Sequence, residues 1–312
     1  MRSPCISAII PCYCAANTLT TAVQSVLGQT NSDFEIIIVD DGSLDASAKV
    51  AACHAASDSR IRLIQQENSG PAAARNRGIQ EARSPVIAFL DADDRWTPDF
   101  VERHLAHFIA VPRCGVSFSR VQFFDPEMTQ PGRVSSTLAQ VRLEQVLGEN
   151  PVCTTSNIVA RRRVLELVGG FNTGLTHGED QEWVARVLAT TGWQVHGLPQ
   201  ILVHYRTSPA GLSADLAKTE SGWRAMIECV RAYAPEVVAR AEPDASALFH
   251  RFLARRALRT GQSKLAILPM MRAWQASPLT LLTRQPSRTL MTMAGALAAL
   301  MPGNPAAALL AR

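Results

Sequence analysis

Short apolar runs, each closing on a polar or acidic cluster, recur through the first two hundred residues and alternate with stretches of helical spacing. Cys5 to Ile10 reads as a strand stopped by Pro11, and Asn17 to Leu27 as a helix with Leu19, Val23, Val26 and Leu27 on one face. Phe34 to Val39 is apolar and β-branched, which suits an interior parallel strand. It ends in Asp40-Asp41-Gly42-Ser43, where Ser43 or Asp45 is placed to cap the next helix. Ile61 to Ile64 is a third short strand, and Gly70-Pro71 opens an alanine-rich helix carrying Arg75, Asn76 and Arg77. Val86 to Leu90 then runs directly into Asp91, Asp93 and Asp94, and strand alternation would turn Asp91 and Asp93 to the same side. The repeated alternation predicts an α/β fold: a Rossmann-like, mostly parallel sheet flanked by helices, with ligands beyond the carboxyl ends of its strands.

Further along, a helix from about Asp99 to Ala110 leads to a strand from Gly115 to Phe124. The polar stretch from Asp125 to Gln140 reads as loop, Asn157 to Ala160 as an edge strand, and Arg163 to Val168 as a helix closed by Gly169-Gly170. GEDQEW, residues 178 to 183, starts an amphipathic helix with Trp183, Val187 and Leu188 on its apolar side. Trp193 to Val203 is strand-like and ends in His204-Tyr205-Arg206. From Ser213 the pattern is helical, with Ala254, Ala257, Ala266 and Ala273 as the small residues of a hairpin that breaks at Gly261 and closes at Pro278. Leu290 to Met301 is apolar, follows Arg284 and Arg288, and stops at Pro302; it is too short to span a bilayer and reads as packed, disordered or lying on a membrane surface.

Hydrophobic residues make up 47% and charged residues 19% of the 312, a globular composition that excludes a disordered chain. The net charge of +4, without long Lys/Arg runs, fits an anionic small molecule or an acidic membrane surface better than nucleic acid. Seven cysteines without a CxxC pair argue for reduced thiols. Cys12 and Cys14 read as small packed side chains before they read as metal ligands. The opening MRSPCISAII passes straight into a strand pattern, so no signal peptide is expected.

Three places carry chemistry. Crowded carboxylates at Asp91 to Asp94 repel one another unless a cation shares the space, although a solvated turn capping the next helix would use the same residues. Glu179 and Asp180 suit the positive end of a helix dipole as well as they suit catalysis. His204 beside Tyr205 has packing as its alternative.

Eight short motifs occur in order: IIPCY (9 to 13), SVLGQT (25 to 30), FEIIIVDDGSLDAS (34 to 47), ENSGPAAARNRGI (67 to 79), FLDADD (89 to 94), GGFN (169 to 172), GED (178 to 180) and HYR (204 to 206). Together they resemble a family 2 glycosyltransferase, an inverting enzyme of the GT-A fold. Cys14 stands where that family commonly has Asn. The resemblance implies a GT-A domain over residues 1–210, nucleotide-binding to about 110 and acceptor-binding from 111, then a helical C-terminal extension over 211–286 and an apolar tail over 287–312. It implies that Pro11 and Tyr13 line the base pocket, that Asp41 hydrogen-bonds the nucleobase with Asp40 close by, and that Arg75 reaches the nucleotide or its diphosphate. Asp93 would bind Mn²⁺ or Mg²⁺, Asp91 would contact ribose or the donor sugar, and His204 would approach the metal or diphosphate. Asp180 would be the general base, with Glu179 and Trp183 on the acceptor side or in support.

The donor implied is a nucleotide-sugar, commonly of uridine, and the acceptor a saccharide or lipid-linked saccharide of a bacterial surface polysaccharide or glycolipid. The setting implied is cytoplasmic, with room for peripheral contact at the inner membrane face, and no nucleic-acid partner. A dinucleotide oxidoreductase would need G-x-G-x-x-G after the first strand, where IIPCYCAAN stands. A nucleotidyltransferase would need a glycine- and lysine-rich loop there. The remaining alternative is a catalytically silent nucleotide-binding protein of the same fold, which would bind nucleotide with metal and never turn it over; the presence of Asp41, Asp93 and Asp180 together argues against it.

Overall fold

Ile6–Cys12 (β1) is buried along almost its whole length, as a strand covered by helices on both faces must be. In the computed structural model, which describes residues 4–208 and 215–301, β1 pairs in parallel with Phe34–Asp40 (β2) and, on its other side, with Val86–Phe89 (β4). Ile61–Gln65 (β3) pairs in parallel with β2. The helices between them are Leu19–Leu27 (α1), Ser47–Ser57 (α2) and Pro71–Glu81 (α3). Ile36, Ile37, Ile38 and Val39 are fully buried, each worth about 1.5–3 kcal/mol of transfer free energy, so β2 is held from both sides.

The sheet continues through Arg95–Trp96 (β5), Cys114–Phe124 (β6), Pro131–Val134 (β7), Val159–Arg161 (β8) and Gln194–Arg206 (β9), in the order β3-β2-β1-β4-β8-β6-β9-β5 with β7 beside β6. Phe100–Ala110 (α4) precedes β6, and Leu143–Gly148 (α5), Arg162–Val168 (α6) and Glu179–Thr190 (α7) follow in chain order. The expectation of an edge strand at Asn157 to Ala160 is corrected. β8 lies inside the sheet, antiparallel to β4 and β6, and Asn157 closes the short 3₁₀ turn Thr155–Asn157 before it. Nor is Asp125 to Gln140 all loop, since β7 pairs with β6 there. β9 extends through the HYR segment to Arg206, where it bonds β6. Cys12 is buried in β1, whereas Cys14 is exposed in the turn beyond it.

The chain divides into two units. The first runs to Arg142 and resumes at Pro151–Ser208; it contains the whole sheet. The second combines Leu143–Asn150 with the helices Leu216–Tyr233 (α8), Pro235–Arg259 (α9), Ile267–Ala276 (α10), Pro278–Thr283 (α11) and Pro286–Ala298 (α12). Its small core joins Ala247, Ala254 and Ala257 of α9 to Ala266, Met270 and Ala273, the close approach that alanines permit. The expected boundary at 210 and the tail beyond 301 lie outside the described residues.

Candidate active site

The strand order reverses between β1 and β4, because β2 and β3 lie on one side of β1 and β4 on the other. Loops leaving the carboxyl ends of neighbouring strands diverge at such a point and open a crevice. Pro11 and Tyr13 lie at the end of β1, with Tyr13 half exposed, and Cys12 is in register with Asp40 of β2. The Asp41 amide donates to the Cys12 carbonyl at 2.8 Å, which ties the two strand ends together. The Asp40 carboxylate is buried and its Oδ1 has no hydrogen-bond partner. Asp41 is also buried: Oδ1 accepts from Gln66 Nε2 at 2.7 Å and the Ser69 amide at 2.9 Å, and Oδ2 from the Gly70 amide at 2.8 Å. It therefore shapes the loop that opens α3. Gly42 is required beside it, with φ +72° and the space for a Cβ only 2.9 Å from the Asn68 amide nitrogen. Asp45 rather than Ser43 organises the start of α2, accepting from the Ser47 amide at 2.9 Å, while Ser43 accepts from the Cys14 amide.

Arg75, on the second turn of α3, is buried and spans two elements. One nitrogen donates to Asp91 Oδ1 at 2.8 Å and another to Glu179 Oε1 at 2.9 Å. Burial works against its charge, and Asp91, Glu179 and then Asp180 more than offset it, so the guanidinium holds its proton more firmly than usual. The Phe171 ring lies 5.7 Å from its centre. Phe171 is fixed in turn by Asn76, one residue along α3: its carbonyl accepts from Asn76 Nδ2 and its amide donates to Asn76 Oδ1, both at 2.8 Å. Trp183 is fully buried, donates to the Gly169 carbonyl at 2.9 Å and lies 5.6 Å from Phe171, so it supports this loop from within the core. Glu179 and Asp180 occupy the first turn of α7, where Asp180 Oδ1 accepts from the Gln181 amide at 2.7 Å.

Strand alternation does not set the aspartates, because β4 ends at Phe89 and Asp91 to Asp94 form a turn closed by the Asp94 amide on the Asp91 carbonyl at 3.1 Å. Ser156 is the hub of that turn. Its hydroxyl accepts from the Asp91 amide at 3.0 Å and donates to Asp94 Oδ2 at 2.5 Å. Asp94 is fully enclosed and also accepts from the Arg206 amide at 2.9 Å; burial, with Asp93 and Asp91 nearby, pushes its pKa well above the carboxylate range. Burial and Asp91 likewise raise Asp93 to about 6. Asp93 is a hard oxygen donor whose burial and acidic neighbour outweigh the charge of Arg206, and such a donor fits Mg²⁺ or Mn²⁺. His204 is half buried in β9 with its ring 4.9 Å from Phe124, and burial with Arg95 nearby lowers its pKa. Among the described residues, it does not join Asp91 and Asp93 in a cluster of three donors within 4.8 Å of one another. Sequence reasoning does not single out Asn76, Phe171 or Ser156 as site residues: the first two fall in quoted motifs, but Ser156 lies in an unpatterned stretch.

The family model "Glycosyl transferase family 2" matches residues 7–169. EpsH of Bacillus subtilis, named as a glycosyltransferase, is 43% identical over 105 residues, which are 34% of this chain and 30% of that one. TuaG of the same organism, named as a teichuronic acid biosynthesis glycosyltransferase, is 38% identical over 213 residues, 68% of this chain and 82% of that one. The chain thus spans about a third of EpsH and most of TuaG. In fold it is similar to residues 1–349 of S. aureus TarS in complex with UDP-GlcNAc, with TM-score 0.61, 17% identity, and coverage of 95% of this chain and 91% of that one. It is also similar to the mannosyltransferase PcManGT of Pyrobaculum calidifontis in complex with GDP-Man and Mn²⁺, with TM-score 0.63, 18% identity, and coverage of 99% and 85%.

Proposed function

The chain belongs to glycosyltransferase family 2, and from that premise we propose that it moves a sugar from a nucleotide-diphosphate donor, a UDP-sugar, to an acceptor hydroxyl with inversion at the anomeric carbon. The observation that supports the reading is the Arg75 bridge, which joins Asp91 after β4 to Glu179 at the start of α7, with Asp180 next along that helix and close enough for its charge to act on Arg75. Pro11, Tyr13, Asp40 and Asp41 form the base end of the crevice, and Asp91 faces the ribose or sugar. Asp93 holds Mn²⁺ or Mg²⁺, with His204 approaching from β9; when bound, the cation supplies Lewis-acid stabilisation of the departing diphosphate. Asp180 takes the acceptor proton as its oxygen attacks, a role typically worth about 10² to 10⁴ in rate. Attack from the face opposite the leaving group inverts the centre in one step. Glu179 and Trp183 position the Asp180 helix.

The acceptor is a saccharide or lipid-linked saccharide in surface polysaccharide synthesis, a reading supported by what TuaG is named for. Such an acceptor places the enzyme at the inner membrane face. No helix among the described residues is long and apolar enough to cross a membrane, but α10 to α12 expose Leu268, Met271, Leu279, Leu290, Met291 and Leu297. The sequence from Ala245 onward has nine Lys or Arg and no Asp or Glu. Apolar faces with basic surroundings are the composition of helices that lie on anionic bilayers.

The test is a panel of sugar nucleotides with Mn²⁺ or Mg²⁺ and saccharide acceptors, scored for released nucleotide diphosphate. Asp180→Asn is expected to lose at least about a hundredfold in turnover while donor binding by calorimetry stays intact. Unchanged turnover in that variant overturns the base assignment.

A further inference from the structure

Within the first unit, at the end of the sheet away from the crevice, three metal-ligating side chains meet. His107 comes from the last turn of α4, Cys114 is the first residue of β6, and His196 is the third of β9. One ligand atom of each lies within 4.8 Å of the other two, and this is the one such trio of His, Cys, Asp or Glu among the described residues. The strand directions fix the location. β6 runs parallel to β4 through two antiparallel steps, so the start of β6 is opposite the carboxyl end of β4 where Asp91 and Asp93 lie.

We propose that His107, Cys114 and His196 form a second metal site, selective for a transition metal ion such as Zn²⁺ and separate from the oxygen-donor site at Asp93. The donor chemistry carries the distinction: two imidazoles and a thiolate favour Zn²⁺ over the hard cations that carboxylates take. His107 Nε2 is buried without a hydrogen-bond partner, which leaves a lone pair or an N–H unsatisfied until something occupies the space. The two imidazole rings stand 5.4 Å apart, and Gln194 Oε1 lies 3.0 Å from His196 Nε2, a contact that orients the ring as outer-shell oxygens do at metal sites. Cys114 is buried, and its thiol now donates to the Val116 carbonyl at 3.2 Å. On ligation it gives that proton to solvent. Tetrahedral Zn²⁺ with bonds near 2.0 to 2.3 Å sets ligand atoms about 3.3 to 3.8 Å apart, so each pair of the trio has to close by about 1.5 Å at most, within reach of side-chain rotation. His107 and His196 are each only partly buried and have that freedom; solvent takes the fourth position. The ion would pin the end of α4 to the beginnings of two parallel strands. Its role is to brace the fold, with no part in the transfer itself.

Co²⁺ is the probe, because a thiolate ligand gives it a near-ultraviolet sulfur-to-metal charge-transfer band that carboxylate ligands at Asp93 do not. The full chain, freed of metal by chelator, is titrated with Co²⁺; the expected result is that band saturating at one equivalent and disappearing on addition of Zn²⁺. Cys114→Ser should abolish it, and His196→Gln should weaken Co²⁺ binding at least about tenfold while leaving Mn²⁺-supported nucleotide release unchanged. No band with the unaltered chain, or a band that persists in Cys114→Ser, overturns the proposal. If Cys114→Ser does not fold, the partly exposed His196→Gln decides alone, and unchanged affinity there overturns it.

Discussion

Arg75 is the residue on which the site depends most, and two substitutions separate what it does for stability from what it does for chemistry. Its side chain is 5% exposed, against 25% for Asp91 and 14% for Glu179. Arg75→Met leaves both carboxylates without their cation. Removing one partner from a buried ion pair costs about 3 to 5 kcal/mol, and the residual exposure of both acids lets water offset part of that, so a loss of about 3 kcal/mol is expected by denaturant titration. Arg75→Lys keeps the charge, but a single ammonium cannot present a planar fork to two acids on different elements. It is expected to recover most of the stability and still lose at least about tenfold in turnover. Equal turnover in the Arg75→Lys variant and the unaltered chain would show that charge alone suffices and that the bridge does not position Asp180. Residues of this kind are legible in sequence only as types. Arg75 stands on a recognisable helix after Gly70-Pro71, yet nothing local reveals that its second partner comes from 104 positions away.

The elements repeat this division between local and distant signals. β1, β2 and β4 are readable because each is a continuous apolar run, the mark of a strand covered on both faces. Asn157 to Ala160 reads as a strand, but the place of β8 between β4 and β6, and the two-residue β5 altogether, come from bonds to neighbouring strands, a signal that no window along the chain contains. For the same reason no local pattern reveals Ser156, which organises the Asp91 to Asp94 turn from 65 residues downstream of Asp91. The clamp between α3 and the loop before α7 is a further nonlocal device and can be tested as a unit. A Cβ on Gly170 would lie 2.1 Å from Asn76 Oδ1, so Gly170→Ala must displace the side chain that holds Phe171 under Arg75. A cost of about 1 to 3 kcal/mol is expected. Asn76→Ala breaks the same clamp, so in that background Gly170→Ala should cost little more, and additive losses in a double-mutant cycle would refute the shared clamp.

In the helical unit, Asp244 accepts from Ser277 Oγ at 2.8 Å and Thr280 Oγ1 at 2.5 Å, fastening the start of α11 to α9. These bonds, Thr280 first, hold its pKa below the usual 3.8. A depressed carboxyl pKa stabilises the fold above about pH 3.8, and the contribution fades as pH falls through the lower folded value. Asp244→Ala is therefore expected to cost about 2 kcal/mol at pH 7, with the difference in melting temperature from the unaltered chain narrowing below pH 4. A gap that stays constant into acid would mean that shape, and not charge, fastens α11.

At the scale of the whole chain the charge is divided. The net +4 conceals a sequence with 22 basic and 27 acidic residues up to Asp244, followed by nine basic and no acidic residues. Averaging over 312 residues hides this; a count by segment reveals it. The exposed leucines and methionines of α10 to α12 lie in the basic part, so apolar burial and electrostatic attraction should act together at an anionic bilayer. Each basic side chain near such a surface is worth about 1 kcal/mol, so three in contact give roughly a hundredfold in partitioning, and this part should vanish at high salt. The apolar part should not. The full chain is accordingly expected to float with vesicles containing phosphatidylserine and not with zwitterionic ones, and to release partly, but not wholly, at about 1 M salt. Leu290→Glu with Leu297→Glu reverses two contacts worth about 1.5 kcal/mol or more each, and should cut vesicle binding roughly a hundredfold, with transfer to a water-soluble acceptor retained. Binding that is indifferent to lipid charge, or unaffected by the paired substitution, would remove the membrane from this reading. An absence of vesicle binding together with dimers in solution would assign the apolar face to a second copy of the chain instead.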